Sequence, residues 1–167
     1  MAKKRLNGST RRKRRIPLIA VLAVIAGLAY AGYVFFVKED RESARVRIGS
    51  EEFTLEIART AAARAAGLSN RQSLGASDGM LFVYGVPSDV NFWMKDTAIP
   101  LTAAYMDENG TILELYDLQP LSEDGVPSKQ PVRYVIELNQ GAFARAGADV
   151  GDTVESITGG EKYGLGF

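Results

Sequence analysis

Hydrophobic positions along this chain fall into two regimes. Residues 16–37, IPLIAVLAVIAGLAYAGYVFFV, run for 22 positions without a charge. As a helix rising about 1.5 Å per residue, that stretch spans roughly 33 Å, enough for the hydrocarbon core of a bilayer. Further on, the pattern changes to alternation. Phe53, Leu55 and Ile57 alternate with Thr54, Glu56 and Ala58; Val132, Tyr134, Ile136 and Leu138 alternate with Arg133, Val135, Glu137 and Asn139. A period of two marks half-buried strands. In 111–118, Ile112, Tyr116 and Leu118 share a face, Glu114 interrupts it, and Leu113 and Leu115 point the other way. That strand, like the continuous apolar run 80–84, reads as covered on both sides.

Turn signals divide these runs. Asp107-Glu108-Asn109-Gly110 contains an Asn-Gly pair that accepts positive φ, so 101–107 and 111–118 are expected to pair antiparallel. Two short helices are expected. Thr60 caps 61–66 and Gly67 stops it; Asn139 caps 140–146 and Gly147 stops it. Three prolines and a Ser-Glu-Asp-Gly cluster mark 119–131 as one long surface loop. The expected fold is mainly β (β-rich α+β), a compact antiparallel sheet or small barrel with two short helices, preceded by one N-terminal transmembrane helix. The expected organisation is a basic leader (1–15), a transmembrane anchor or uncleaved signal (16–37), a charged linker (38–45), a globular domain (46–158) and a glycine-rich tail (159–167).

Charge sets the orientation of the anchor. The net charge is zero, but residues 1–15 carry eight Lys or Arg and no acid. The remainder holds 12 basic against 20 acidic residues, a net of −8. Basic flanks stay cytoplasmic, so the N-terminus is expected inside and the domain outside, in the periplasm or extracellular space. Tyr30, Tyr33, Phe35 and Phe36 gather at the far end, as side chains at a lipid–water boundary do. The alternative is cleavage after Ala29-Tyr30-Ala31, which would yield a secreted form, although six further uncharged residues follow Ala31. Ala23, Gly27 and Ala31 form a small-residue stripe that suits weak homodimerisation; the competing explanation is that Ala and Gly are common in membrane spans. An acidic domain repels DNA and RNA, so no nucleic-acid partner is expected.

With no Cys and no His, the chain lacks thiol catalysis, imidazole bases and the usual zinc ligands. No nucleophile elbow, Ser-x-x-Lys pair or phosphate loop occurs, and no cofactor or metal is expected. Asp107-x-Asn109-x-Thr111 begins like a calcium loop, but Ile112 stands where such a loop needs Gly, so a hairpin turn accounts for it better.

No catalytic residue is assigned, and the ligand-binding candidates are Trp93, Lys95, Asp96, Arg133, Glu137 and Asn139. If 90–96 is a strand, Val90, Phe92, Met94 and Asp96 face one way and Asn91, Trp93 and Lys95 the other. The apolar trio reads as core, and Trp93 beside Lys95 as a stacking wall suited to an envelope glycan or protein. Arg133, Glu137 and Asn139 line the polar face of 132–139. The ordinary alternative is that the sole Trp packs on the core and the charged groups are solvated or paired across strands. An enzyme reading rests on Asp96 and Glu137 as a carboxylate pair acting on envelope glycans, which requires about 5 or 6.5–9.5 Å between them.

Four strings carry a resemblance: Gly67-Leu68 with Arg71 and Leu74; Gly79-Met80-Leu81-Phe82; 91–101 (NFWMKDTAIPL); and 134–141 (YVIELNQG), with Gly151-Asp152 beyond. Over about 45–157 the chain resembles the domain of unknown function 192 family, an uncharacterised group of envelope proteins. The resemblance implies a compact β-rich domain at the envelope. It implies no activity and transfers no functional residues.

Overall fold

The computed structural model describes residues 42–158. In chain order the elements are β1 (Ser43–Ile48), β2 (Glu51–Ala58), α1 (Ala61–Ala66), β3 (Asp78–Ser88), β4 (Asn91–Phe92), β5 (Leu101–Met106), β6 (Ile112–Leu118), β7 (Val126–Pro127), β8 (Val132–Asn139), α2 (Ala142–Ala146) and β9 (Glu155–Thr158). The expected span 16–37, its stripe of Ala23, Gly27 and Ala31, and the tail 159–167 lie outside the described residues. Among the described residues no helix is long and apolar enough to cross a membrane.

Seven strands form one open sheet in the order β6-β5-β8-β3-β2-β1-β9, and β4 pairs with β7 in a separate ribbon. The protein is mainly β, as expected, but the sheet is neither wholly antiparallel nor a closed barrel. β2 and β3 run parallel, with Leu55 opposite Gly79 and Ala58 opposite Phe82. The cause is the 59–77 connection: α1 crosses over and returns the chain in the same direction, which a tight hairpin cannot do.

Both faces of the sheet are covered. One buries Val46, Phe53, Leu55, Leu81, Tyr134 and Ile136 against Phe143 and Ala146 of α2. The other buries Met80, Phe82, Leu101, Tyr105 and Val135 under Leu68, Val90, Phe92 and Met94, from the segments beside α1 and β4. This double cover explains why β5 is buried at all six positions and shows no alternation.

Local signals succeed where a side chain had no better partner. Thr60 Oγ1 accepts from the Ala63 N–H at 3.1 Å, capping α1 as expected. Asn139 does not cap the second helix. Its Nδ2 donates instead to the carbonyls of Leu74 (3.2 Å) and Gly75 (2.9 Å), and α2 starts later, behind Gly141 at φ 81°. The β5–β6 connection is a hairpin as expected, and Asp107 Oδ1 accepts from the Asn109 and Thr111 N–H groups at 2.9 and 2.8 Å. The 119–131 loop is not free of structure, because β7 lies within it. The charged linker is shorter than expected, since β1 begins at Ser43.

Candidate functional site

The site begins on β8, which lies between β5 and β3. There Glu137 stands opposite Ala103 on one side and Met80 on the other. Alternation had placed Glu137 on a solvated face. That face is instead under the second layer, and Glu137 is only 4% exposed. The small Ala103 leaves room beside it. No donor among the described residues reaches its carboxyl, and burial alone pushes its pKa up to about 8.

Above Glu137 is a pocket of about 220 Å³. α1 and the residues after it (Arg64–Ser69) form one wall, Phe82 and Tyr84 of β3 a second, and Asn91–Met94 with Thr97 a third. Trp93, 57% exposed, stands at the mouth. The packing alternation expected for 90–94 holds: Val90, Phe92 and Met94 are buried and Trp93 is not. It does not continue to Asp96. β4 ends at Phe92, the chain turns, and Asp96 takes a left-handed φ of 55° with its side chain exposed.

Hydrogen bonds on both sides hold this turn. The Asn70 N–H donates to the Asp96 carbonyl at 2.7 Å and Ser69 Oγ to the Lys95 carbonyl at 3.2 Å. The Met94 N–H donates to Ser122 O (2.9 Å), and the Leu121 N–H to Thr97 O (3.0 Å). Lys95 and Asp96 thus serve through their backbones, and neither lines the pocket.

The pocket's charges are sparse. Among the described residues Glu137 is its one acid and Arg64 its one base. The Arg64 guanidinium lies 4.8 Å from the Tyr84 ring centroid, and its Nη1 donates to the carbonyls of Arg59 (2.5 Å) and Val83 (3.1 Å). Burial raises the Tyr84 phenol; Arg64 acts to lower it and Glu137 to raise it. Tyr84 therefore feels both charges.

The six sequence candidates are split among different surfaces. Trp93 and Glu137 share the pocket. Asn139 lines a wider, more open groove with Thr102, Asp117 and Gln140, where both Asp117 oxygens are already engaged, by Thr102 Oγ1 at 2.6 Å and Gln140 Nε2 at 2.8 Å. Arg133 lies over the Tyr134 ring at 5.4 Å, away from Glu137's pocket. Arg64 and Tyr84 were not singled out from the sequence. Nothing in the pattern of α1 or β3 shows that they meet.

A model of the domain of unknown function 192 (DUF192), described as "Uncharacterized ACR", matches residues 44–156. The chain belongs to the DUF192 family. Two solved structures resemble this DUF192 chain. A Sinorhizobium meliloti protein, provisionally described as a transcription regulator, is 34% identical with a TM-score of 0.67, over 70% of this chain and 95% of that one. A Novosphingobium aromaticivorans protein of unknown function is 33% identical with a TM-score of 0.62, over 69% and 84%. No curated protein matches the chain. The strings by which it resembles DUF192 meet in space: Gly67, Leu68, Phe82, Trp93, Leu101 and Glu137 all line the one pocket.

Proposed function

We propose that this DUF192 protein is a membrane-anchored, extracytoplasmic binding module whose ligand site is the Trp93–Glu137 pocket. The observation that carries the reading is the convergence of an exposed indole and a desolvated, unpaired carboxyl on one small concavity. Exposed aromatic platforms and buried polar groups of raised pKa are costly unless a ligand uses them. The ligand class that suits such a pocket outside the membrane is one unit of an envelope glycan or a small group displayed on an envelope protein. The charge-free run 16–37 behind a basic leader supports the anchor and the outward domain.

The carboxylate-pair hydrolase reading is weaker, because Asp96 does not line the pocket and Glu137 is its sole acid among the described residues. A nucleic-acid role, such as the description of the Sinorhizobium protein suggests, sits poorly with a net charge of −8 beyond residue 15.

Trp93 is the only tryptophan, so its emission reports the pocket without labelling. Full-length protein in mild detergent, titrated with wall-glycan fragments, is expected to show a saturable change in emission. Emission that no fragment moves ends the reading. A reporter enzyme fused to the C-terminus tests the topology; activity confined to the cytosol contradicts it.

A further inference from the structure

We infer that the group this pocket recognises is an organic cation, an amine or quaternary ammonium seated between Glu137 and the surrounding aromatic rings. The inference rests on the binding-module reading and deepens it.

Three observations lead there. First, Glu137 is the only acid among the described residues that line the pocket, and no described donor reaches it. A buried carboxyl in that state lacks a partner that the fold itself does not provide. Second, four aromatic residues line the same space, Phe82, Tyr84, Phe92 and Trp93. Phe82 and Phe92 meet edge to face, with centroids 4.8 Å apart. Rings present negative faces, which attract cations, and most strongly where water is excluded. Third, the one cation that the described residues bring to the pocket is committed elsewhere. Arg64 is held by two carbonyls and by the face of Tyr84, and Glu137's raised pKa has burial as its cause, with no lowering from Arg64. The negative end of the pocket is thus left open to a ligand. A neutral sugar hydroxyl fits less well, since it gains little from the rings.

Charge balance gives the inference a second readout. At neutral pH Glu137 is mostly protonated, so a cation that pairs with its carboxylate releases a proton to solvent. The titratable and charged groups around it are Arg64 on α1, Tyr84 on β3 and Tyr105 on β5. Burial raises both phenols, so they stay neutral. Glu137 alone changes state in this range.

The experiment uses full-length protein in non-ionic detergent and two isosteric pairs of probes: choline with its neutral carbon isostere dimethylbutanol, and glucosamine with glucose. Trp93 emission gives affinity, and calorimetry in two buffers of different ionisation enthalpy gives proton release. Each cation is expected to bind roughly tenfold tighter than its isostere, the scale of a desolvated cation–π contact. Binding of choline, whose charge does not titrate, should release a proton in the wild type and none in Glu137→Gln. A second measurement keeps the test decisive should the Gln variant not fold: in the wild type, proton release on choline binding should disappear well above pH 8, where Glu137 is already ionised. Neutral probes or glycan fragments that bind as tightly as the cations overturn the inference and leave the pocket reading standing. Four silent probes together with silent glycan fragments overturn both.

Discussion

Gly79 lies directly against the backbone of Glu137. A Cβ built on Gly79 would come within 2.6 Å of the Glu137 carbonyl oxygen, 2.5 Å of Leu138 Cδ2 and 2.8 Å of Leu55 Cδ2. The glycine is needed here for space, and it sets how closely β3 approaches the strand that carries the buried acid.

Gly79→Ala must therefore push β3 and β8 apart. The expected loss is about 1–3 kcal/mol, as for other overpacked cores. Thermal unfolding of the full-length protein checks it, and an unchanged melting temperature would mean the strands are not this close.

Stability should depend on pH through Glu137. Its folded pKa is raised, so the folded state holds a proton that the unfolded state releases near 4.5. The resulting stabilisation is complete below about pH 4.5, declines as pH rises, and is gone above about 8. The decline amounts to a few kcal/mol. Glu137→Gln, which mimics the protonated acid, should flatten that slope and be the more stable protein at pH 8. Denaturant midpoints measured across this window, wild type against variant, give the comparison.

Arg71 holds the pocket's first wall to the sheet. It grips Glu56 on β2 with two parallel bonds, 2.6 and 2.7 Å, at a partly buried site, just beyond the Gly67–Ser69 segment. Lysine keeps the charge but cannot make the fork. Arg71→Lys is expected to cost about 1 kcal/mol or somewhat less. Denaturant unfolding of the variant checks it, and an unchanged midpoint would contradict the role given to the fork.

Tyr105 links the sheet to the β4–β7 ribbon. Its hydroxyl donates to the Val126 carbonyl at 2.7 Å, and its ring meets both Phe92 and Tyr116 edge to face. Tyr105→Phe leaves that carbonyl without its donor, at about 1 kcal/mol. Amide hydrogen exchange should speed up in the ribbon around Phe92 and Val126 while the β1–β2 hairpin stays protected.

What the sequence made legible was local and periodic. Thr60 capped as its position implied, Val90, Phe92 and Met94 packed inward, and the Asn109-Gly110 turn joined two antiparallel strands. What it concealed depended on a second layer. Glu137 occupies a polar position on an alternating strand, and only the cover supplied by α1 and 89–97 turns that position into an interior one. Asn139 follows the same logic, since carbonyls at Leu74 and Gly75, distant in sequence, outcompeted the helix it was expected to cap. Asp96 left its strand because β4 pairs for only two residues before the turn.

The pocket's defining relation, an ionisable Glu137 beneath Trp93, can be measured without knowing any ligand. Trp93 emission, followed from roughly pH 5 to 10, is predicted to shift with one midpoint near 8 in the wild type and to lose that transition in Glu137→Gln. A flat profile, or a midpoint at the ordinary carboxylate value in the wild type, would contradict the account.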